Sequence, residues 1–178
     1  MSPADAPAIR EMIATDLEAL DTLYPRAFPQ EDLLALVRAL SETAGVFALV
    51  ATLERTVVGH VAVTPATADA LRGIWLLGPL CVAPEVQRQG IGSSLVAAGI
   101  ERIGRAGAAR VVVLGDPAYY ARFGFTAERR IMPPYRLPAA WTDAWQSLQI
   151  GAGHAGPGAE DARLMLPAPW LDPALWSP

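Results

Sequence analysis

The stretch best equipped for chemistry is PEVQRQGIGSSL, residues 84–95. Gly90 and Gly92 stand one residue apart, with Gln87, Arg88 and Gln89 before them and Ser93 and Ser94 after. A helical pattern begins at once. The first backbone N–H groups of a helix have no intrahelical partner, and the helix dipole adds partial positive charge there. An anion, phosphate above all, fits such a place. Glycine lets a ligand approach the backbone and allows positive φ. A plain strand-to-helix turn could use the same glycines, so the surroundings decide.

Other reactive side chains are few. Cys81 is the single cysteine, which excludes an internal disulfide and a cysteine-based zinc site. It sits in an apolar run without a histidine close in sequence, where a thiol is usually inert. The only histidines, His60 and His154, lie far apart, against a His-rich metal site.

Composition narrows the class. A chain of 178 residues suggests one domain with a sizeable core. Hydrophobic content of 52% is too high for disorder. The best apolar run, 74–83, is broken by Gly78 and Pro79 and is too short to span a bilayer. MSPADAPAIRE lacks the basic-then-apolar order of a signal peptide. A soluble cytoplasmic protein fits. A net charge of -4 argues against general nucleic-acid binding, although all 14 basic residues are arginine.

These residues need a scaffold. Residues 9–12 read as a short strand, and Asp16 as the cap of a helix over about 17–27. A second helix is expected over 30–43, stopped by Gly45. Residues 46–53 and 57–64 read as a hairpin around Glu54-Arg55, followed by a loop over 65–73. A long strand, 74–82, is interrupted at Gly78-Pro79, as at a bulge. A helix over about 91–106 follows, then an apolar strand at 111–114 suited to a parallel position. Asp116-Pro117 starts a short helix, 117–123, and Phe125 opens another strand. The Pro- and Gly-rich remainder, 131–178, holds four of the five tryptophans and should be packed. Strands are expected there at 145–150 and 162–166, with a flexible loop at 151–160.

Three pieces carry a resemblance: LGPLCVAP (77–84), QRQGIGSSL (87–95) and YYARFGF (119–125). In this order, with Gly59-His60 upstream and Leu114 to Phe125 reading LGDPAYYARFGF, they resemble the GNAT acetyltransferase superfamily, and within it the YhbS-like group. The resemblance covers about 8–130 and is sharpest over 78–125. It implies a mixed, mostly antiparallel α/β sheet with a splayed central strand pair and helices on both faces. It also implies a single domain over 1–178, with 131–178 packed on the core.

The resemblance assigns roles as well. Gln87, Gly90 and Gly92 match the turn that holds the coenzyme A pyrophosphate, and Arg88, Gln89, Ile91 and Ser93 share it. The acetyl-pantetheine arm is expected beside Leu80, Cys81 and Val82, where a backbone N–H can polarise the thioester carbonyl. Tyr120, four residues before Gly124, matches the tyrosine that donates to the departing thiolate. A phenol keeps its proton at neutral pH and can hydrogen-bond to sulfur. Tyr119 and Phe123 are expected to contact the cofactor. Residues 73–77 lack the carboxylate many members use as a base, which leaves Asp69, Glu85, His60 or a water chain. His60 has a suitable pKa range.

The function expected is acetyl transfer from acetyl-CoA, without a metal, to a primary amine of a small molecule or peptide. Attack would be direct, in a ternary complex. A non-catalytic acyl-CoA-binding or regulatory module is the alternative, and a second copy of the chain is kept open as a partner. A dinucleotide oxidoreductase is disfavoured, because Leu95 stands where the third glycine of G-x-G-x-x-G belongs and 111–114 ends without an acid.

Overall fold

The structure is a computed structural model that describes residues 6–69, 71–151 and 162–177. Among the described residues the elements are β1 (Ala8–Glu11), α1 (Leu17–Ala27), α2 (Leu34–Ser41), β2 (Phe47–Leu53), β3 (Thr56–Ala68), β4 (Leu71–Val82) and α3 (Ile91–Arg105). Then come β5 (Arg110–Leu114), α4 (Pro117–Tyr120), β6 (Thr126–Ala127), β7 (Ile131–Met132), β8 (Trp145–Gln149) and β9 (Ala162–Met165). The strand order is β1-β2-β3-β4-β5-β8-β6, with β9 beside β3 and β7. Pairing is mostly antiparallel; β4 with β5 and β7 with β9 are parallel. No helix among the described residues is long and apolar enough to cross a membrane.

The chain forms two compact units. The first takes residues up to Val63 and Leu77–Gly99; the second takes Thr64–Leu76 and residues from Ile100 onward. In the first unit β1, β2 and the start of β3 form an antiparallel ribbon, with Ala8 opposite Thr52 and Phe47 opposite Val63. Glu54 and Arg55 turn the hairpin in left-handed conformations, φ 46° and 70°. Leu20, Leu23 and Tyr24 of α1 and Leu36, Val37 and Leu40 of α2 are buried, as are Leu95 and Val96 of α3. Their spacing is the helical apolar stripe.

In the second unit β5 is the parallel neighbour of β4, from Ile74 opposite Arg110 to Leu76 opposite Val112. Its other edge pairs with β8, Leu114 opposite Trp145. The Trp-rich segment therefore supplies a strand of the sheet itself. Trp145, Trp170 and Trp176 are buried, with Trp145 and Trp170 each packed against Trp176. Trp170 Nε1 donates to Thr64 Oγ1 at 3.0 Å.

Three expectations need correction. Asp16 does not cap α1: its carboxylate accepts from Arg10 at 2.7 and 2.8 Å and from Ile13 N at 2.8 Å. A tertiary cation has outcompeted the helix end. The second helix is shorter than 30–43, because Glu31 N donates to Phe28 O in the turn that leaves α1. Residues 65–73 are not a loop: β3 runs to Ala68 and β4 begins at Leu71. Pro65 is accommodated because β3 changes partner on that edge there, leaving β2 at Val63 and meeting β9 at Thr67. The short helix expected over 117–123 is present: α4 tightens to 3-10 form over Ala121–Phe123 and stops at Gly124, φ 90°. The expected flexible loop lies outside the described residues, apart from Gly151.

Candidate active site

In the first unit the site is a strand–turn–helix. β4 bends at Gly78, φ 144°, and runs on through Leu80, Cys81 and Val82. Ala83 N donates to Val58 O at 2.8 Å, which ties the end of β4 to β3. Residues Pro84–Val86 make one 3-10 turn, and Gln87 Nε2 reaches back to Val82 O at 3.1 Å. The chain then passes through two left-handed residues, Arg88 at φ 60° and Gly90 at φ 88°. A Cβ on Gly90 would meet nothing within 4 Å, so glycine is needed there for its backbone conformation and not for space. Arg88 pays the strain of a non-glycine residue in that region.

After Gly90 helix α3 starts. The first intrahelical donor is Ser94 N, to Gly90 O at 2.9 Å. The N–H groups of Ile91, Gly92 and Ser93 precede that ladder and have no intrahelical acceptor. With the helix dipole behind them they make a seat for an anion. Gln87, Arg88, Gln89 and Gly90 are exposed at its edge, and Ser93 is half-buried. Ser94 is not a ligand donor in this geometry, since its Oγ turns back to Gly90 O at 3.1 Å.

What lets α3 begin so close to the strands is Gly59 on β3. A Cβ there would lie 2.9 Å from Leu95 Cδ1, 3.2 Å from Ile91 Cγ2 and 3.2 Å from Cys81 O. The Gly-His pair at 59–60 marks this close approach in the sequence, but its reason appears only in the packing.

His60 is buried in the same unit. Its Nδ1 lies 2.7 Å from Tyr24 Oη, and the two rings meet edge-on with centroids 5.6 Å apart. Burial pushes its pKa down to about 3, against the smaller opposing pull of Asp16. The ring is neutral at pH 7 and a weak base. Cys81 is buried too, and burial pushes its thiol up to about 12, far from thiolate. Glu85 is exposed and paired with Arg26, while Asp69 forms the tight turn after β3 at φ 47°.

The second unit holds Tyr120. Asp116 caps α4 by accepting from Ala118 N at 2.9 Å, and Pro117 fills the first helical position. Tyr120 is buried against Phe125, with Tyr119 and Phe123 around it at ring-centroid distances of 5.5, 5.0 and 6.4 Å. Gly115 makes room for the ring: a Cβ there would overlap Tyr120 Cε2. Burial first, and Tyr119 second, raise the Tyr120 pKa, which keeps the hydroxyl protonated. Among the described residues nothing hydrogen-bonds its Oη. Tyr119 is less buried and carries the Arg122 guanidinium 4.6 Å from its ring centroid. Gly115 was missed as a determinant, although it sits in the LGDP stretch that introduces α4.

Residues 44–127, from just before β2 to the end of β6, match the model of an acetyltransferase (GNAT) domain. The uncharacterized N-acetyltransferase YhbS of Escherichia coli strain K12 is 38% identical over 145 residues, which are 80% of this chain and 84% of that protein. The chain belongs to the GNAT N-acetyltransferase family. Two solved structures agree with this acetyltransferase fold. The crystal structure of E. coli YhbS in complex with CoA has a TM-score of 0.78 at 29% identity, over 93% of this chain and 92% of that one. A GNAT acetyltransferase from Brucella melitensis in complex with acetyl-CoA has a TM-score of 0.71 at 27% identity, over 93% and 98%. The segment after residue 127 lies beyond the match to the GNAT domain model.

Proposed function

We propose that this acetyltransferase moves an acetyl group from acetyl-CoA to a primary amine of a small molecule or peptide, by direct attack in a ternary complex. The observation that carries the reading is the turn from β4 into α3. Arg88 and Gly90 hold left-handed conformations there, and the free N–H groups of Ile91, Gly92 and Ser93 follow. A pyrophosphate suits that seat. The CoA and acetyl-CoA complexes of the two structural relatives support the choice of donor.

The pantetheine arm pairs with backbone at Leu80, Cys81 and Val82, and an N–H there polarises the thioester carbonyl as the amine attacks. The amine nitrogen bonds to the carbonyl carbon, the C–S bond breaks, and the thiolate takes a proton from Tyr120 Oη. The proton lost by the attacking nitrogen goes to water and restores Tyr120. Tyr120 enters on its match to the family pattern, together with a hydroxyl held in the protonated form. We assign proton removal to water and not to His60, whose pKa near 3 makes it a poor acceptor at neutral pH. Tyr119 and Phe123 line the cofactor, and Cys81 forms no acyl-enzyme.

The test is a panel of primary amines with acetyl-CoA and detection of released thiol. The reading expects at least one amine to raise release well above hydrolysis and to gain 42 Da per transfer, about the mass of one acetyl group in place of hydrogen. Thiol release indifferent to every amine would favour a binding module.

A further inference from the structure

The second unit holds a pocket whose described lining includes none of the residues assigned to acetyl transfer. Its volume is about 510 Å³, within the range of small-molecule sites. It is lined by residues of the segment 128–145 and by Arg163, and none of its lining residues lies in 80–93 or 119–123. The frame around it is fixed by hydrogen bonds. Trp145 Nε1 donates to Ile131 O at 2.6 Å, so the buried indole is held from within. Tyr135 Oη donates to Leu171 O at 2.7 Å, which holds that ring in the lining.

Charge in the lining is unbalanced. Among the described lining residues Glu128 is the only acid, and it is spent on the frame. Its carboxylate accepts from Arg110 Nη1 at 2.7 Å, from Arg130 N at 2.7 Å and from Ile131 N at 3.2 Å. Three arginines line the pocket. Arg129 is neutralised by Asp143. Arg163 donates to the carbonyls of Pro133 and Pro134, at 3.4 and 2.7 Å, and has no ion-pair partner among the described residues. Arg136 is exposed and has no ion-pair partner among the described residues. Two guanidinium groups without an ion-pair partner among the described residues thus share the lining with Met132, Leu137 and Trp145, in a chain of net charge -4. Met132 is itself 39% exposed.

Guanidinium groups recognise carboxylates through paired hydrogen bonds, and the apolar floor asks for a hydrocarbon or aromatic body. We infer that this pocket binds a small carboxylate with an aromatic or apolar body, its anionic end at Arg136 and Arg163 and its body on Met132, Leu137 and Trp145. The inference stands without the acetyl-transfer reading, because no residue assigned to that chemistry takes part.

Calorimetric titration of the full chain, without acetyl-CoA, tests it. The probes are indole-3-acetate, its neutral isostere indole-3-acetamide, and inorganic phosphate. The acid should bind about ten-fold tighter than the amide at low salt, and phosphate alone should bind more weakly than either. Arg136→Gln should cost the acid about ten-fold and leave the amide unchanged. Among the described residues this side chain makes no internal bond, so the variant should fold as the parent does. Equal affinity for acid and amide, or an acid affinity unmoved in Arg136→Gln, would overturn the inference. So would phosphate binding as tightly as the acid, or no binding of the acid up to about 10 mM.

Discussion

Around His60 and along the turn at 84–94, the first unit treats polar groups in opposite ways. Near His60 the reactive-looking side chains are sealed. The imidazole is held by Tyr24, its pKa falls to about 3, and the Cys81 thiol rises to about 12, all through burial. In the turn the side chains from Gln87 to Gln89 are exposed, but the backbone is unusual: two left-handed residues and a helix start with no intrahelical acceptor for its first donors. The difference teaches that reactive residue types are a poor guide here. Burial drives titratable groups to their neutral forms. Backbone N–H groups keep their polarity whatever the pH, so the turn, whose donors are backbone, is the one fit to seat an anion.

The largest expected effect comes from breaking the turn. Gly92→Glu puts a side chain and a negative charge among the free N–H groups, and acetyl-CoA affinity should fall by about 10²-fold or more. Calorimetry on a variant with an unchanged melting curve checks this. Affinity equal to that of the parent would remove the turn from the account.

Tyr120→Phe carries the comparison into the second unit, where a buried hydroxyl is expected to act. The ring and its packing stay. With an acceptor in hand, kcat should drop by about 10²-fold while KM for acetyl-CoA stays within a few-fold. Tyr119→Phe should lose much less. Reversed results would move the acid role to Tyr119.

A smaller effect should show in stability. His60 has a folded pKa near 3, depressed from about 6.5. Below about 6.5 the unfolded chain takes up the proton first, so stability falls with pH between those values and is unaffected above them. The contribution is at most about 1.4 kcal/mol per pH unit. Asp16 and Glu128, held low by their ion pairs and backbone donors, act in the same direction nearer their own titration range. Urea denaturation of the parent and of His60→Gln between pH 6.5 and 5 isolates the histidine. The variant should show the shallower slope, and matching slopes would contradict a sealed imidazole. The smallest effect is expected for Cys81→Ala. Acetyl transfer should stay within a few-fold, at a cost in stability of about 1 kcal/mol. A trapped acetyl adduct on Cys81 together with lost turnover would reverse the contrast drawn above.

Much of the scaffold was legible because local signals agreed with the final packing. Asp116-Pro117 caps α4, Gly45 and Gly107 adopt φ 82° and 80° where helices end, and the helix over about 91–106 is α3 within one residue. Signals failed where a distant partner decided. Pro65 and Gly73 imitate a loop, but β9 and β5 extend the strands on either side of it. Asp16 resembles a cap until Arg10 claims it. The site was legible in part: the glycine turn was read from helix physics, but the left-handed Arg88 was not, since no residue type announces it. The reasons for Gly59 and Gly115 are side chains 32 and 5 or more positions away, and spacing alone does not reveal them. The state of His60 depends on burial by Tyr24 and its neighbours, which no motif encodes. The arginine-lined pocket arises mainly from residues 128–145, whose prolines left little periodicity to read.

The central claim is that the turn between β4 and α3 seats the pyrophosphate of acetyl-CoA. Calorimetric titration of the parent chain with acetyl-CoA and, separately, with NAD tests it most directly. Both ligands carry a pyrophosphate, but the strand edge at Leu80 to Val82 is expected to pair only with a pantetheine arm. The account predicts one-to-one binding of acetyl-CoA and no measurable binding of NAD. Binding of NAD without binding of acetyl-CoA would contradict it.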